Sequence, residues 1–477
     1  MNGLKTFIEE QIELTLNEYK TRSDRMISDF NREIELMNDY NGRQIYELLQ
    51  NCDDAKAKSV LIELDEGEKT FTIANDGNEP FDEKGFKSLL ISNLTSKVKK
   101  SYIGNKGLGF RSIISWADYI IIESNNLRLK FSREIASKNF ENLFDQETKN
   151  KIIDERNLSK NAKPFPFLSI PEIEEHKSDL WTTKISINFE SKPNVLNDII
   201  SQISTLREEI LLFLNNTNEI IIRNGESKFL KRFKKGKLIT INDNKWEIFE
   251  LDDTFPSDLQ DEQSKDKDEH YNLKIAIGDK KINNVNFLFS YFPTKIDVPF
   301  PVIIHGTFDL NSSRTQLRKS NKNEFVLTKL AELLINTSKD ITQEEVSWKP
   351  LEILNYQSKN PVLDELNFYQ KIDESIQELE IFPCIDNTYR KLSDVIQVHD
   401  DFSEYIERVH KQSLFPNLLK STKNSNIELS KFPFQNNIED IVYKINILSN
   451  QLETISDRVE LIALVKKFLI MVINMNY

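Results

Sequence analysis

The chain is short of the residues that would announce a site most directly. It has two cysteines in 477 residues, Cys52 and Cys384. They give no disulfide framework and no zinc spacing, which favours a reducing cytosol. The five histidines are dispersed. None stands in a His-x-x-x-His or His-x-Glu spacing, which argues against a zinc site. No apolar run is long enough to span a bilayer: the nearest, "FLIMVI" near the end, is short and follows Lys466 and Lys467. The opening "MNGLKTFIEEQIEL" lacks the basic and apolar regions of a signal peptide. Positive charge is in deficit, with a formal net charge of −13. The molecule as a whole therefore has no attraction for nucleic acid or for an anionic membrane. A cytoplasmic protein without a membrane partner is the expectation. Glycine is scarce too, with 12 in the chain. Neither the Walker A loop nor the dinucleotide pattern Gly-x-Gly-x-x-Gly occurs.

What is present is a globular composition, with 39% hydrophobic and 29% charged residues. Helical spacing of Leu4, Ile8, Ile12, Leu16 and Tyr19, then of Met26, Phe30 and Ile34, predicts helix from 4 to about 38. A second helix is expected over 43–56. "SVLIELDEGEKTFTIANDG" alternates, turns and alternates again, as a hairpin does. A short helix, a polar loop, a helix beginning at "FRSIISWAD", and the strands "YIIIES", "LRLKFS" and "TTKISINF" follow. The stretch before "TTKISINF" reads as a long polar connection. Strand signals recur between about 220 and 310, helix over 322–340, and one or two helices at the end. The fold class is α+β. Three regions are expected: 1–220, 221–345 and 346–477, the last mixed and mainly helical.

Three of the twelve glycines fall within "GNKGLGF", 104–110. Such a cluster marks close approach of backbone to something else, or a tight turn. Two other features bear on it. Glu47, Asn51 and Asp54 recur at i, i+4 and i+7, on one face of a helix. A carboxamide oxygen there suits magnesium, and a carboxylate one turn earlier suits activation of a water. The alternative is a solvated polar stripe. Asn75-Asp76-Gly77 then ends a strand in a turn signal. Gly104, Gly107 and Gly109 run toward Phe110 and a helix start, where successive N–H groups make an anion site.

In this order and at these separations the three features resemble the GHKL ATPases: gyrase, the ninety-kilodalton heat-shock chaperones, sensor histidine kinases and MutL proteins. The sacsin-like N-terminal ATP-binding domains are the nearest branch. The segments "DFNREIELMNDYNGRQIYELLQNCDDA" and "YIGNKGLGFRSI" carry the likeness. The resemblance implies a Bergerat-type α/β sandwich, with a mixed sheet and helices on one face, followed by a transducer-like α+β domain. It implies ATP and Mg2+ as ligands. Glu47 then matches the general base, Asn51 the magnesium ligand, and Asp54 and Ala55 the adenine side of the pocket. Gly77 matches the glycine beneath the adenine. The family has an acid two residues before that glycine, where this chain has Asn75. Either Asn75 or Asp76 therefore reads the base. Gly104, Lys106, Gly107, Leu108, Gly109 and Phe110 match the phosphate loop, and Thr183 a threonine reaching adenine through water. "SNLTSKVKK" would be a lid carrying Lys97, and Arg314 of "NSSRTQ" would reach the γ-phosphate.

The implied activity is slow ATP hydrolysis that closes the lid and switches conformation or engages a protein partner. Homodimers and a microbial anti-phage or chaperone-like setting are contexts the family offers. The rivals are a nucleotide-holding scaffold without turnover, and an ATP-gated DNA clamp using the basic stretch "KFLKRFKKGK", 228–237.

Overall fold

A computed structural model describes residues 2–39, 42–90, 109–177, 180–260, 269–280, 286–311 and 313–475. They divide into two compact units: 1–246 with 291–294 and 310–316, and 247–290 with 295–309 and 317–477. Both are α+β.

The first unit opens with α1 (Asn2–Thr21) and α2 (Ser23–Asp39). These are two helices where the periodicity predicts one. The Thr21 hydroxyl donates to the carbonyls of Asn17 and Glu18, both at 3.0 Å, closing the first helix. Ser23 and Asp24 then restart it with residues that favour a helix beginning. Next come α3 (Gln44–Asp54), β1 (Ser59–Asp65), β2 (Thr70–Asn75) and α4 (Glu83–Leu90). Gly109–Ser115 is a 3-10 helix rather than the expected α-helix. It is rich in β-branched residues and serine, and the Ser115 hydroxyl donates to the Ser112 carbonyl at 2.7 Å.

β3 (Tyr119–Ser124) and β4 (Leu127–Ser132) form the predicted strands. The stretch read as a polar connection holds α5 (Arg133–Leu143) and α6 (Gln146–Glu155). Ser132 caps the first by accepting from Ile135 N–H, and Asp145 caps the second by accepting from Thr148 N–H. Phe140, Phe144 and Ile152 pack with Tyr19 and Met26 in one apolar cluster. β5 (Glu172–Glu175), β6 (Thr183–Asn188), α7 (Pro193–Ser204), β7 (Glu219–Asn224), β8 (Glu226–Lys235) and β9 (Leu238–Ile241) complete the unit.

Its strands run in the order β9-β8-β7-β1-β2-β6-β3-β4-β5. The β1–β7 pair is parallel and the hairpins are antiparallel, so the sheet is mixed. β6, distant in sequence, lies between β2 and β3 and sets Thr183 opposite both Asn75 and Ser124. That insertion positions the site described below.

The second unit carries β11 (His270–Gly278), β12 (Asn286–Ser290) and β14 (Ile303–Gly306) with most of β10 (Asn244–Thr254) and β13 (Phe292–Val298), in the order β13-β12-β14-β11-β10. α8 (Asn321–Ile341) matches the predicted helix and is capped by Ser320. The chain ends in two helices, α9 (Ile438–Gln451) and α10 (Ile455–Met475). Ile441, Leu448, Leu461 and Leu464 of that pair share a core with Phe402, Tyr405 and Phe415. Among the described residues no helix is long and apolar enough to cross a membrane.

Candidate functional site

α3 buries Leu48, Leu49 and Cys52 on its core side. Its polar stripe is not solvated: Glu47 and Asp54 are each 4% exposed. Burying two carboxylates is costly unless they are paired, which sets this stripe apart from an ordinary surface face. Asp53, next to Asp54, has a different task. Its carboxylate accepts from the backbone N–H groups of Asn215 (3.0 Å), Asn216 (2.8 Å) and Thr217 (2.8 Å). It therefore pins the loop entering β7.

The end of β2 divides its work in the same way. Asp76 is exposed, and its Oδ1 accepts from Lys58 N–H (2.7 Å) and Ser59 N–H (2.8 Å), fixing the start of β1. Asn75 is buried, and its Oδ1 accepts from Gly77 N–H at 3.0 Å. A donor can face only the amide oxygen, so the orientation of the amide follows from this bond. Among the described residues nothing accepts from Asn75 Nδ2. Gly77 is required by close approach: a Cβ there would sit 2.2 Å from the Ala55 carbonyl oxygen, just past α3. On the neighbouring strands the hydroxyls of Thr183 and Ser124 lie 2.8 Å apart, and Phe81 N–H donates to Ser124 Oγ at 3.1 Å.

These elements enclose a cavity of about 560 Å³ in the first unit. Of the residues singled out in the sequence, Asn51, Asp54, Ala55, Asn75, Phe110 and Thr183 line it. Glu47, Asp76 and Gly77 are not among the lining residues. Gly109 opens the 3-10 helix that carries Phe110. Lys97, Gly104, Lys106, Gly107 and Leu108, and with them the expected lid and most of the phosphate loop, lie outside the described residues. Phe81, Lys84 and Asn125 also line the cavity and were not singled out.

Glu47 stands in a cationic setting. Arg314 Nη1 lies 3.4 Å from its Oε1 and also donates to Gln50 Oε1. Arg314 adopts a positive φ of 54° in a turn held by Asn311, whose Oδ1 accepts from Thr315 N–H (2.9 Å) and Gln316 N–H (3.2 Å). The asparagine of the "NSSR" segment thus shapes the turn, and the arginine reaches α3. Arg43, one turn before Glu47, donates to the Pro293 carbonyl at 3.0 Å. Burial pulls its guanidinium below the usual range, against the opposing charge of Glu47.

One buried pair escaped sequence reading. Arg111, two residues past Gly109, donates to Glu33 at 2.8 Å and to the Leu89 carbonyl at 2.7 Å. Glu33 also accepts from the N–H groups of Phe167 and Leu168. Burial pushes the Glu33 carboxyl up and the Arg111 guanidinium down, each opposed by its partner's charge. The pair ties α2, α4 and the 3-10 helix behind Phe110 into one frame.

No family model matches the chain, and no curated protein matches it. Among solved structures it is similar to the ATPase region of Saccharomyces cerevisiae topoisomerase II. The identity is 12%, over 62% of this chain and 85% of that one, with a TM-score of 0.30. A likeness this low carries no argument about function, so the reading rests on the residues.

Proposed function

We propose that the chain binds ATP with magnesium in the cavity of the first unit and hydrolyses it slowly, as a GHKL-type ATPase. The observation that carries the reading is convergence. Asn51 and Asp54 from α3, Asn75 from β2 and Thr183 from β6 line one cavity of about 560 Å³. The size suits a nucleotide, since small-molecule sites run from about 300 to 1,000 Å³. The donor set suits a cation that arrives with its nucleotide. Among the described residues no cluster of three His, Cys, Asp or Glu side chains would hold a metal alone, while magnesium needs few protein ligands beside phosphate and water.

Asn51 would offer its amide oxygen to the cation. When bound, magnesium would neutralise charge on the phosphates. Asn75 would read the base. Its Oδ1 keeps one lone pair beyond the bond to Gly77, and its Nδ2 remains to donate, so it can meet a base edge that carries both a donor and an acceptor. Adenine has such an edge. Glu47 would take the proton of the attacking water, and Arg314 would stabilise the transferred phosphoryl group. For both roles the contact between Arg314 and Glu47 must open, freeing the carboxylate for water and the guanidinium for phosphate.

That same contact favours a second reading, nucleotide binding without turnover, in which Arg314 holds Glu47 permanently. Single-turnover hydrolysis separates the two. Under the first reading, Glu47→Ala keeps ATP affinity and slows hydrolysis on the order of a hundredfold or more. Equal binding with no hydrolysis by either protein would establish the second.

A further inference from the structure

The basic stretch 228–237 has no part in that reading. It forms most of β8 and the turn into β9, where Gly236 adopts a φ of 61°. Alternation along the strand sorts its side chains. Leu230 and Arg232 turn toward the protein. Leu230 is buried, and Arg232 donates to the carbonyls of Leu211 (2.7 Å) and Leu214 and to Asn218 Oδ1. One of the six cations is therefore a fold anchor.

The opposite face presents Phe229, Lys231, Phe233 and Lys235. Phe229 is 48% exposed and Phe233 69%, although phenylalanine is among the residues most often found inside. Lys231 lies 5.4 Å over the Phe229 ring and pairs with Glu219 at 2.8 Å. Lys235 stands opposite Leu238, itself 56% exposed. Among the described residues, Lys228, Lys234 and Lys235 have no carboxylate partner. A chain of net charge −13 thus carries one strip on which partly exposed aromatic rings and cations alternate.

We propose that this face of β8–β9 binds a single-stranded polynucleotide. Residues i and i+4 of a strand stand about 13 Å apart. That leaves room between the two rings for a step of an unstacked strand, with Lys231 between them to meet its phosphates. Ring faces stack on any unpaired base, so the binding is indifferent to sequence. A duplex keeps its base faces covered and gives exposed phenylalanines nothing to stack on. The acidic remainder of the molecule repels the phosphate backbone and confines contact to the strip.

The test is fluorescence anisotropy of the full chain with a labelled oligothymidylate at low and at physiological salt. Binding should weaken with salt, and Phe229→Ala and Phe233→Ala should each raise Kd roughly tenfold. Lys231→Ala and Lys235→Ala should each reduce the slope of log K against log salt by about 0.7. Phe233→Leu, which keeps apolar bulk and removes the stacking face, should lose as much as Phe233→Ala. Oligouridylate should bind like oligothymidylate. Four results would overturn the proposal: no binding; tighter binding of a duplex with the ring variants unaffected; ring variants that abolish only self-association in sedimentation; or ring variants that abolish only binding to anionic phospholipid vesicles. Both rings are exposed, so the variants should keep the parent's thermal melt, which serves as the folding control.

Discussion

The end of α3 and the end of β2 each set two polar residues side by side, and in each pair the two neighbours do different work. At α3, Asp53 holds three backbone N–H groups of the loop before β7, while Asp54 lines the cavity. At β2, Asp76 holds two N–H groups at the start of β1, while Asn75 lines the cavity. Each element thus uses one acid to fix the frame and its neighbour to furnish the site. The two frame residues differ in depth. Asp53 is fully buried and Asp76 is exposed, so the first bond set is shielded from water and the second competes with it.

Breaking the frame should cost stability and leave no selective effect on ligand, and breaking the site should do the reverse. Asp53→Ala has the largest expected effect. It orphans three N–H groups around a buried position and should lower unfolding free energy by about 3–5 kcal/mol in urea titration. Gly77→Ala follows, at about 2–3 kcal/mol, because the new methyl overlaps the Ala55 carbonyl and the turn must shift. Asp76→Ala should cost only about 1 kcal/mol, since water can replace the lost acceptor. Asn75→Asp should cost a similar amount, about 1 kcal/mol, because an oxygen still faces Gly77 N–H while the new carboxylate sits at a buried position on the cavity wall. Its effect should fall on ligand choice: an acceptor-only side chain should favour ATP over GTP more strongly than the parent does, measured by competition for a fluorescent nucleotide. An Asp76→Ala variant that altered this preference and an Asn75→Asp variant that did not would reverse the assignment of the two roles.

Much of this was legible in residues and much was not. The i, i+4, i+7 spacing put Glu47, Asn51 and Asp54 on one stripe, but the same spacing serves a solvated face. Only packing shows Glu47 and Asp54 buried and Asn51 half-buried. Asp53 and Asp54 are the same residue type at consecutive positions, and nothing local says which one meets the loop at 215–217. At β2 alternation does not decide either: Phe71 and Ile73 on one face and Thr72 and Ala74 on the other are all buried, so only the tertiary contacts separate Asn75 from Asp76. The helices α5 and α6 were signalled, by Ser132 and Asp145 ahead of apolar residues at helical spacing, and were hidden by the polar composition around them. The pair of Glu33 and Arg111, 78 residues apart, is a tertiary fact. So is the arrival of Arg314 beside Glu47, since the two are brought together by a turn that returns to the first unit after its sheet is complete.

The central claim is that Asn51 holds a magnesium–nucleotide complex in the cavity between α3, β2 and β6. Isothermal titration of ATP into the full chain and into Asn51→Ala, with and without magnesium, tests it most directly. The parent should bind in a magnesium-dependent way, the variant should lose that dependence with at least about a tenfold weaker Kd, and the two should melt alike without ligand. Undiminished, magnesium-dependent binding by Asn51→Ala, or no binding by the folded parent, would contradict it.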